Sequence, residues 1–177
     1  VAHGDLTQKR PPTDWRRGEI QARHEIEKLG FSVHDANVLF RANCPNIDLS
    51  VYGRAGAIYV QTKSSERPAG KDAVVVDGSP WTAEQLVDAP IFNKHTEDYQ
   101  ASFIVIVHTL GDAVEYYVAP PDELERRLRL RGKVWADTLK RDGSRRSIRF
   151  RKELPRASLA DLRSWDPLKA ALFRDHR

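Results

Sequence analysis

The stretch from Ile47 to Lys63 constrains the fold most. It reads Ile-Asp-Leu-Ser-Val-Tyr, then Gly53-Arg54-Ala55-Gly56, then Ala-Ile-Tyr-Val-Gln-Thr-Lys. Apolar residues alternate on both sides of a glycine-containing turn, which predicts two strands in a hairpin. Asp48 stands near the start of the first strand. Gln61 and Lys63 stand two apart near the end of the second and share a face. Antiparallel pairing sets the start of one strand beside the end of the other, so Asp48, Gln61 and Lys63 gather at one edge of a small sheet. An acid, an amide carbonyl and an ammonium in that arrangement suit a divalent cation and a reacting phosphate.

The flanking sequence supplies further elements. Residues 1–12 read as a loose arm. Thr13 or Asp14 caps a helix that runs to about Leu29 and stops at Gly30. Trp15, Ala22, Ile26 and Leu29 form its apolar stripe, and Glu19 falls inside that stripe. A carboxylate on a core-facing side needs a partner, because an isolated buried charge is costly. Phe31 to Val38 reads as a first strand, ahead of the Asp48 hairpin, and Ser64 to Lys71 as a loop. Ala73 to Val76 reads as a short strand. Ser79 and Pro80 suit the start of a helix through about Asp88, with Thr82 and Gln85 as an alternative capping box. Ile91 to Tyr99 reads as a second helical piece. The apolar run from Ser102 to His108 predicts a buried strand, and Gly111-Asp112 turns it into an antiparallel neighbour, Ala113 to Val118. A helix is expected from Pro120 to about Arg131. Asp142-Gly143 is a hairpin signal ahead of alternating Ile148, Arg149, Phe150 and Arg151. A last helix is expected from Ser158 to about Phe173, divided near Pro167.

Charge is unevenly distributed. The chain has 177 residues and a net charge of +4, yet Arg126 to Arg156 alone carries 13 Lys/Arg against 3 Asp/Glu. The remainder is therefore net acidic. Segregation of this kind points to a polyanionic partner, with Arg126, Arg127, Lys140, Arg141, Arg145, Arg146, Arg149 and Arg151 as the candidate nucleic-acid contacts. No apolar run approaches membrane-spanning length, so no membrane partner is expected. Residues 1–10 are polar and charged and do not read as a secretory signal peptide. The single cysteine, Cys44, permits no internal disulfide, and a reducing cytoplasm is the default expectation.

The order helix, three strands, helix, strand, strand resembles the PD-(D/E)xK nuclease superfamily. The local text carries the resemblance: Gly18-Glu19 on the helix, Leu29-Gly30-Phe31 leading to the first strand, Asn46-Ile47-Asp48-Leu49, and Val60-Gln61-Thr62-Lys63-Ser64. It covers about Asp14 to Val118. It implies an α/β, restriction-endonuclease-like αβββαβ core with a mixed central sheet over residues 13–118. The basic, helix-containing extension over 119–177 lies outside it. Two departures are plain: Ile47 stands where proline is common, and Gln61 occupies the acidic position of the (D/E)xK motif.

The resemblance implies a metal-dependent DNA endonuclease with Glu19, Asp48, Gln61 and Lys63 at its site. Asp48, Glu19 and Gln61 would hold Mg²⁺, for which Mn²⁺ can substitute, and Lys63 would steady charge on the phosphate or help position or deprotonate the attacking water. The partner would be duplex or branched DNA. Cutting both strands with one site per chain favours a homodimer. Gln61 brings no charge to a cation, so a catalytically inactive nucleic-acid-binding module of the same fold is the main alternative; a protein-interaction module is the other. Singly, Asp48 also reads as a turn residue and Lys63 as an edge-strand charge.

Overall fold

The computed structural model describes residues 14–67, 72–82, 85–95, 98–141 and 150–173, with side chains described for all of these except 14, 15, 67, 78–80, 135–141 and 150. The fold is mixed α/β. Helix α1 (Asp14–Lys28) leads into β1 (Ser32–Asp35), a one-turn helix α2 (Ala36–Phe40), β2 (Leu49–Gly53) and β3 (Gly56–Arg67). Next come β4 (Ala73–Trp81), α3 (Gln85–Asp88), β5 (Phe103–Leu110) and β6 (Ala113–Ala119). The chain continues through α4 (Pro121–Arg141), β7 (Phe150–Pro155), a 3₁₀ helix (Arg156–Arg163) and α5 (Asp166–Phe173).

Five strands form one mixed sheet in the order β1-β2-β3-β5-β6, and β4 pairs with β7 in a separate ribbon. Neighbours in the five-stranded sheet are antiparallel except β3 and β5, which run parallel from Val60↔Phe103 to Arg67↔Leu110. The continuous apolar run in β5 follows from this central place, since it is buried on both faces. Val105 and Val107 join Ala22 and Ile26 of α1 and Leu168 and Leu172 of α5 on one face. Ile104 and Ile106 join Leu124 and Leu128 of α4, with Val74, Val76 and Leu154 of the ribbon, on the other.

The hairpin closes as its alternation demands. Gly53 pairs with Gly56 across Arg54 and Ala55, and Gly56 sits at φ +116°, in the region that only glycine enters cheaply. Helix α5 packs on this turn: Ala55 N–H donates to Leu172 O at 3.0 Å. A β-carbon on Gly53 would lie 2.7 Å from the Leu172 backbone oxygen, so only glycine admits that approach.

Several expectations change. The first strand ends at Asp35, because its carboxylate caps α2 by accepting from Val38 N at 3.1 Å. Strand β3 continues through Ser64 and Ser65 to Arg67, because β5 pairs with it along that whole length. The segment around Ser79-Pro80 is strand rather than helix start. Val74 and Val76 face the core at period two, and Pro80 falls where the β4–β7 register shifts between Asp77 and Trp81, a place that tolerates proline. The crossover helix shrinks to α3, entered by the Thr82–Gln85 capping box with reciprocal bonds of 3.0 and 3.2 Å. Ile91–Tyr99 forms no described helix; Glu125 of α4 instead accepts from Ile91 N at 2.8 Å and Phe92 N at 3.0 Å. Helix α4 runs ten residues past its expected end, to Arg141. Asp142-Gly143 and Ile148 lie outside the described residues, and Phe150 begins β7, whose partner is β4.

Candidate active site

A cleft of about 510 Å³ opens where β2 stops and β3 continues, lined by Glu19, Asp48, Gln61, Thr62, Lys63, Ser64 and Glu66. Its geometry starts from an irregularity in backbone pairing. Asp48 N–H donates to Val60 O at 2.9 Å, but the Asp48 carbonyl turns away and accepts from Ala36 N at 2.8 Å. The Thr62 amide then lacks a strand partner. The Asp48 carboxylate takes that place: Oδ2 accepts from Thr62 N at 2.6 Å and from Thr62 Oγ1 at 2.9 Å. One carboxylate oxygen thereby fixes the side chain at the end of the ladder.

Gly18 brings α1 onto the same strand. A β-carbon there would stand 2.0 Å from Ser64 Oγ, so glycine lets the helix approach and sets the next residue, Glu19, over the cleft. Burial raises the Glu19 carboxyl to about 7, with the nearby charges of Asp48 and then Asp35 adding to the rise and Arg16 opposing it. Burial likewise raises Asp48, against the opposing pull of the two Thr62 hydrogen bonds and of Lys63. Two carboxyls in one cleft, both pushed toward their neutral forms, form an environment that a cation would relieve.

Gln61 adds a third oxygen. Its Nε2 donates to Pro45 O at 3.4 Å, and its Oε1 is buried without a hydrogen-bond partner among the described residues. A buried carbonyl left unpaired is costly. The donor set of Glu19, Asp48 and Gln61 is all oxygen, as a hard divalent cation requires. Among the described residues no group of three or more His, Cys, Asp or Glu is placed to hold a metal; Gln61 could add only a neutral amide oxygen to the two carboxyls.

The structure thus brings Glu19, Asp48, Gln61 and Lys63 to one cleft. Thr62 and Glu66 line it too, and Gly18 sets how closely α1 approaches it. Period-two spacing from Thr62 through Ser64 marks Glu66, and a glycine inside a helix marks Gly18. Among the basic candidates whose side chains are described, none lines this cleft. Arg126 and Arg127 line a separate groove with Leu130, Val134 and Leu154. Arg127 is held by Glu123 at 2.7 Å and Asp161 at 2.6 Å, and Arg126 by Glu123 at 2.8 Å. Arg151 is exposed on β7. Lys140 and Arg141 end α4, with side chains outside the described set; Arg145, Arg146 and Arg149 lie outside the described residues.

No family model and no curated protein matches this sequence. A solved structure of a bacterial homing endonuclease is similar over 62% of this chain, with 16% sequence identity and a TM-score of 0.38. The match spans 64% of that chain, just under two thirds of its length. No helix among the described residues is long and apolar enough to cross a membrane.

Proposed function

We propose that the protein is a Mg²⁺-dependent DNA endonuclease of the PD-(D/E)xK type, with Glu19, Asp48, Gln61 and Lys63 as its site. The observation that carries this reading is the unpaired, buried Gln61 Oε1 in a cleft with two carboxyls raised by burial. Glu19, Asp48 and Gln61 would hold the cation. Mg²⁺ or Mn²⁺ bound there supplies charge neutralisation at the phosphate and a more acidic water. Thr62 keeps Asp48 in one rotamer, so its free oxygen stays aimed without a reorganisation cost at reaction. The Lys63 ammonium faces the negative charge that develops as water oxygen bonds to phosphorus and the ester P–O bond breaks. The strongly basic segment from Arg126 to Arg156 supports a nucleic-acid substrate.

The neutral Gln61 also supports a second reading, in which the same cleft binds DNA without cutting it. One assay separates the two. Supercoiled, linear and four-way-junction DNA are incubated with the protein in EDTA, Mg²⁺ or Mn²⁺. Cleavage is expected only with metal, and Asp48→Ala and Lys63→Ala each reduce it at least a hundredfold while binding persists. Full metal-dependent cleavage by either variant removes the assignment. Binding without cleavage in any metal favours the second reading.

A further inference from the structure

Strand β3 has an open edge, and the cleft lies along it. Strand β5 pairs with β3 as far as Arg67, whereas β2 pairs no further than Val60. The Val60 carbonyl accepts from Asp48 N, and the Thr62 amide donates to the Asp48 carboxylate. Backbone groups of successive strand residues point to opposite edges. Val60, Thr62, Ser64 and Glu66 therefore present N–H and C=O on the β2 side, while Gln61, Lys63 and Ser65 present theirs to β5. The Asp48 carboxylate closes the edge at Thr62. At Ser64 the edge is open: the residue is exposed, lines the cleft, and no described residue beyond the sheet ladder accepts from its N–H.

This open amide is held in place from two sides. Lys63 and Ser65, its neighbours, lie in register with Ile106 and His108 of β5. Helix α1 comes so close that a β-carbon on Gly18 would stand 2.0 Å from Ser64 Oγ. Amides two residues apart on one edge of a strand are roughly 6.5 Å apart, so the Ser64 donor stands that far along from the Thr62 amide that anchors Asp48. The Thr62 carbonyl between them is an acceptor and turns anionic oxygen away. Beyond Ser64, the Glu66 carboxylate lines the cleft and repels it too. Along this edge an anion is received at Ser64 and rejected on either side.

We propose that the Ser64 N–H donates to a non-bridging oxygen of the phosphodiester that enters the cleft it shares with Lys63. This rests on the nuclease reading for the identity of the ligand. A phosphodiester has two non-bridging oxygens, so Ser64 engages one and leaves the other to face Lys63. A backbone donor already fixed in position costs no reorganisation as charge builds on the phosphate. Unlike a second lysine, it also does not compete with a cation for the carboxylates of Glu19 and Asp48.

Amide NMR on the full chain tests the donor. In the metal-free protein the Ser64 amide should exchange with solvent at least a hundredfold faster than those of Lys63 and Ser65, which β5 protects. A saturating short duplex is then added with Ca²⁺, which takes oxygen ligands as Mg²⁺ does, and the DNA is checked to remain intact. Exchange at Ser64 should slow at least tenfold and its proton resonance should move downfield. Ser64→Pro removes the N–H at an edge position whose N–H faces solvent, where proline is tolerated. Its Tm should fall by no more than a few degrees, duplex affinity in Ca²⁺ should fall severalfold, and kcat/KM in Mg²⁺ at least tenfold at an unchanged half-saturating metal concentration. If Ser64→Pro does not fold, an ester in place of the Lys63–Ser64 peptide bond removes the same N–H and keeps the side chain, and the same losses are expected. A Ser64 amide as protected as its neighbours in the free protein, one that saturating DNA leaves unchanged, or wild-type affinity without the N–H overturns the contact. Metal-dependent cleavage with no effect of DNA at Ser64 overturns the contact alone. Protection of Ser64 by DNA with no cleavage in any metal sinks the nuclease reading and leaves the contact standing.

Discussion

Glu19 shows how a single residue can cost stability and serve a site. Its carboxyl titrates at about 7 when folded, against a usual 4.5. A carboxyl raised on folding contributes stability in full below its unfolded value, and that contribution is lost as pH rises through about 7. The metal-free protein should therefore melt at lower temperature at pH 8 than at pH 5.5. Glu19→Gln should flatten this fall and raise Tm at pH 8 by a few degrees. Added Mg²⁺ or Mn²⁺ should restore the wild type at pH 8 but not the variant. Scanning calorimetry across pH, with and without metal, reads all three effects; a wild-type Tm independent of pH between 5.5 and 8 would show that Glu19 does not titrate in the cleft. Calorimetric titration at pH 6 should also show proton release on metal binding, since the cation must displace the proton.

The elements divide by how they are encoded. The hairpin, α1 and the β5–β6 pair were legible because each buries a face in period with its own backbone. Leu49 and Val51 alternate, Ala22 and Ile26 lie one turn apart, and Phe103 to Val107 is apolar throughout. The ribbon was legible only in part: Ala73 to Val76 reads as a strand, but β4 and β7 pair across a long separation in the chain, which no local period records. Pro80 added a false helix-start signal. The candidate site was legible in its polar residues but not in its supports: the Asp48–Thr62 bonds exist only once the start of β2 lies beside β3, and the Gly18 contact only once α1 lies on β3. Gly18→Ala should shift α1 off β3, weaken metal binding about tenfold, and lower cleavage in proportion. Adding Ser64→Ala removes the Oγ from the clash and should recover much of the loss. If Gly18→Ala alone leaves metal affinity unchanged, the close approach of helix and strand does not position Glu19. A second support joins β6 to the 3₁₀ helix. Glu115 accepts hydrogen bonds from Arg156 and Tyr117, and Arg163 adds a 3.2 Å ion pair. The Arg156 bonds do most to hold its carboxyl down at about 2. A depressed carboxylate contributes stability above about 4.5 and loses it as pH falls toward 2. Glu115→Gln should lower Tm by about 2–4 °C at pH 7 and by much less at pH 2.5; an equal drop at both would mean the loss is one of packing, not of charge.

At the scale of the whole chain, the cleft's acidic residues and the positive excess fall in different stretches of sequence. The cleft carries Glu19, Asp48 and Glu66 against Lys63, whereas the positive excess lies in the segment from Arg126 to Arg156. DNA affinity should accordingly depend on that segment and cutting on the cleft. Replacing Arg145, Arg146, Arg149 and Arg151 by Ala should lower the magnitude of the log–log salt slope by about one for each phosphate that is no longer neutralised. Fluorescence anisotropy across a salt series measures it, and an unchanged slope would mean that these arginines do not touch the DNA backbone. The hairpin that supplies most of the cleft is capped at its turn by Leu172, more than a hundred positions further along the chain. During synthesis at about 5–20 residues per second, the hairpin waits on the order of ten seconds for that cap to emerge. Its parallel neighbour β5 and the β4–β7 ribbon also arrive late, and such distant pairings form slowly. A nascent chain therefore carries Asp48, Gln61 and Lys63 long before it can hold them in place, and the assembly of the cleft in each new molecule is timed by its own translation.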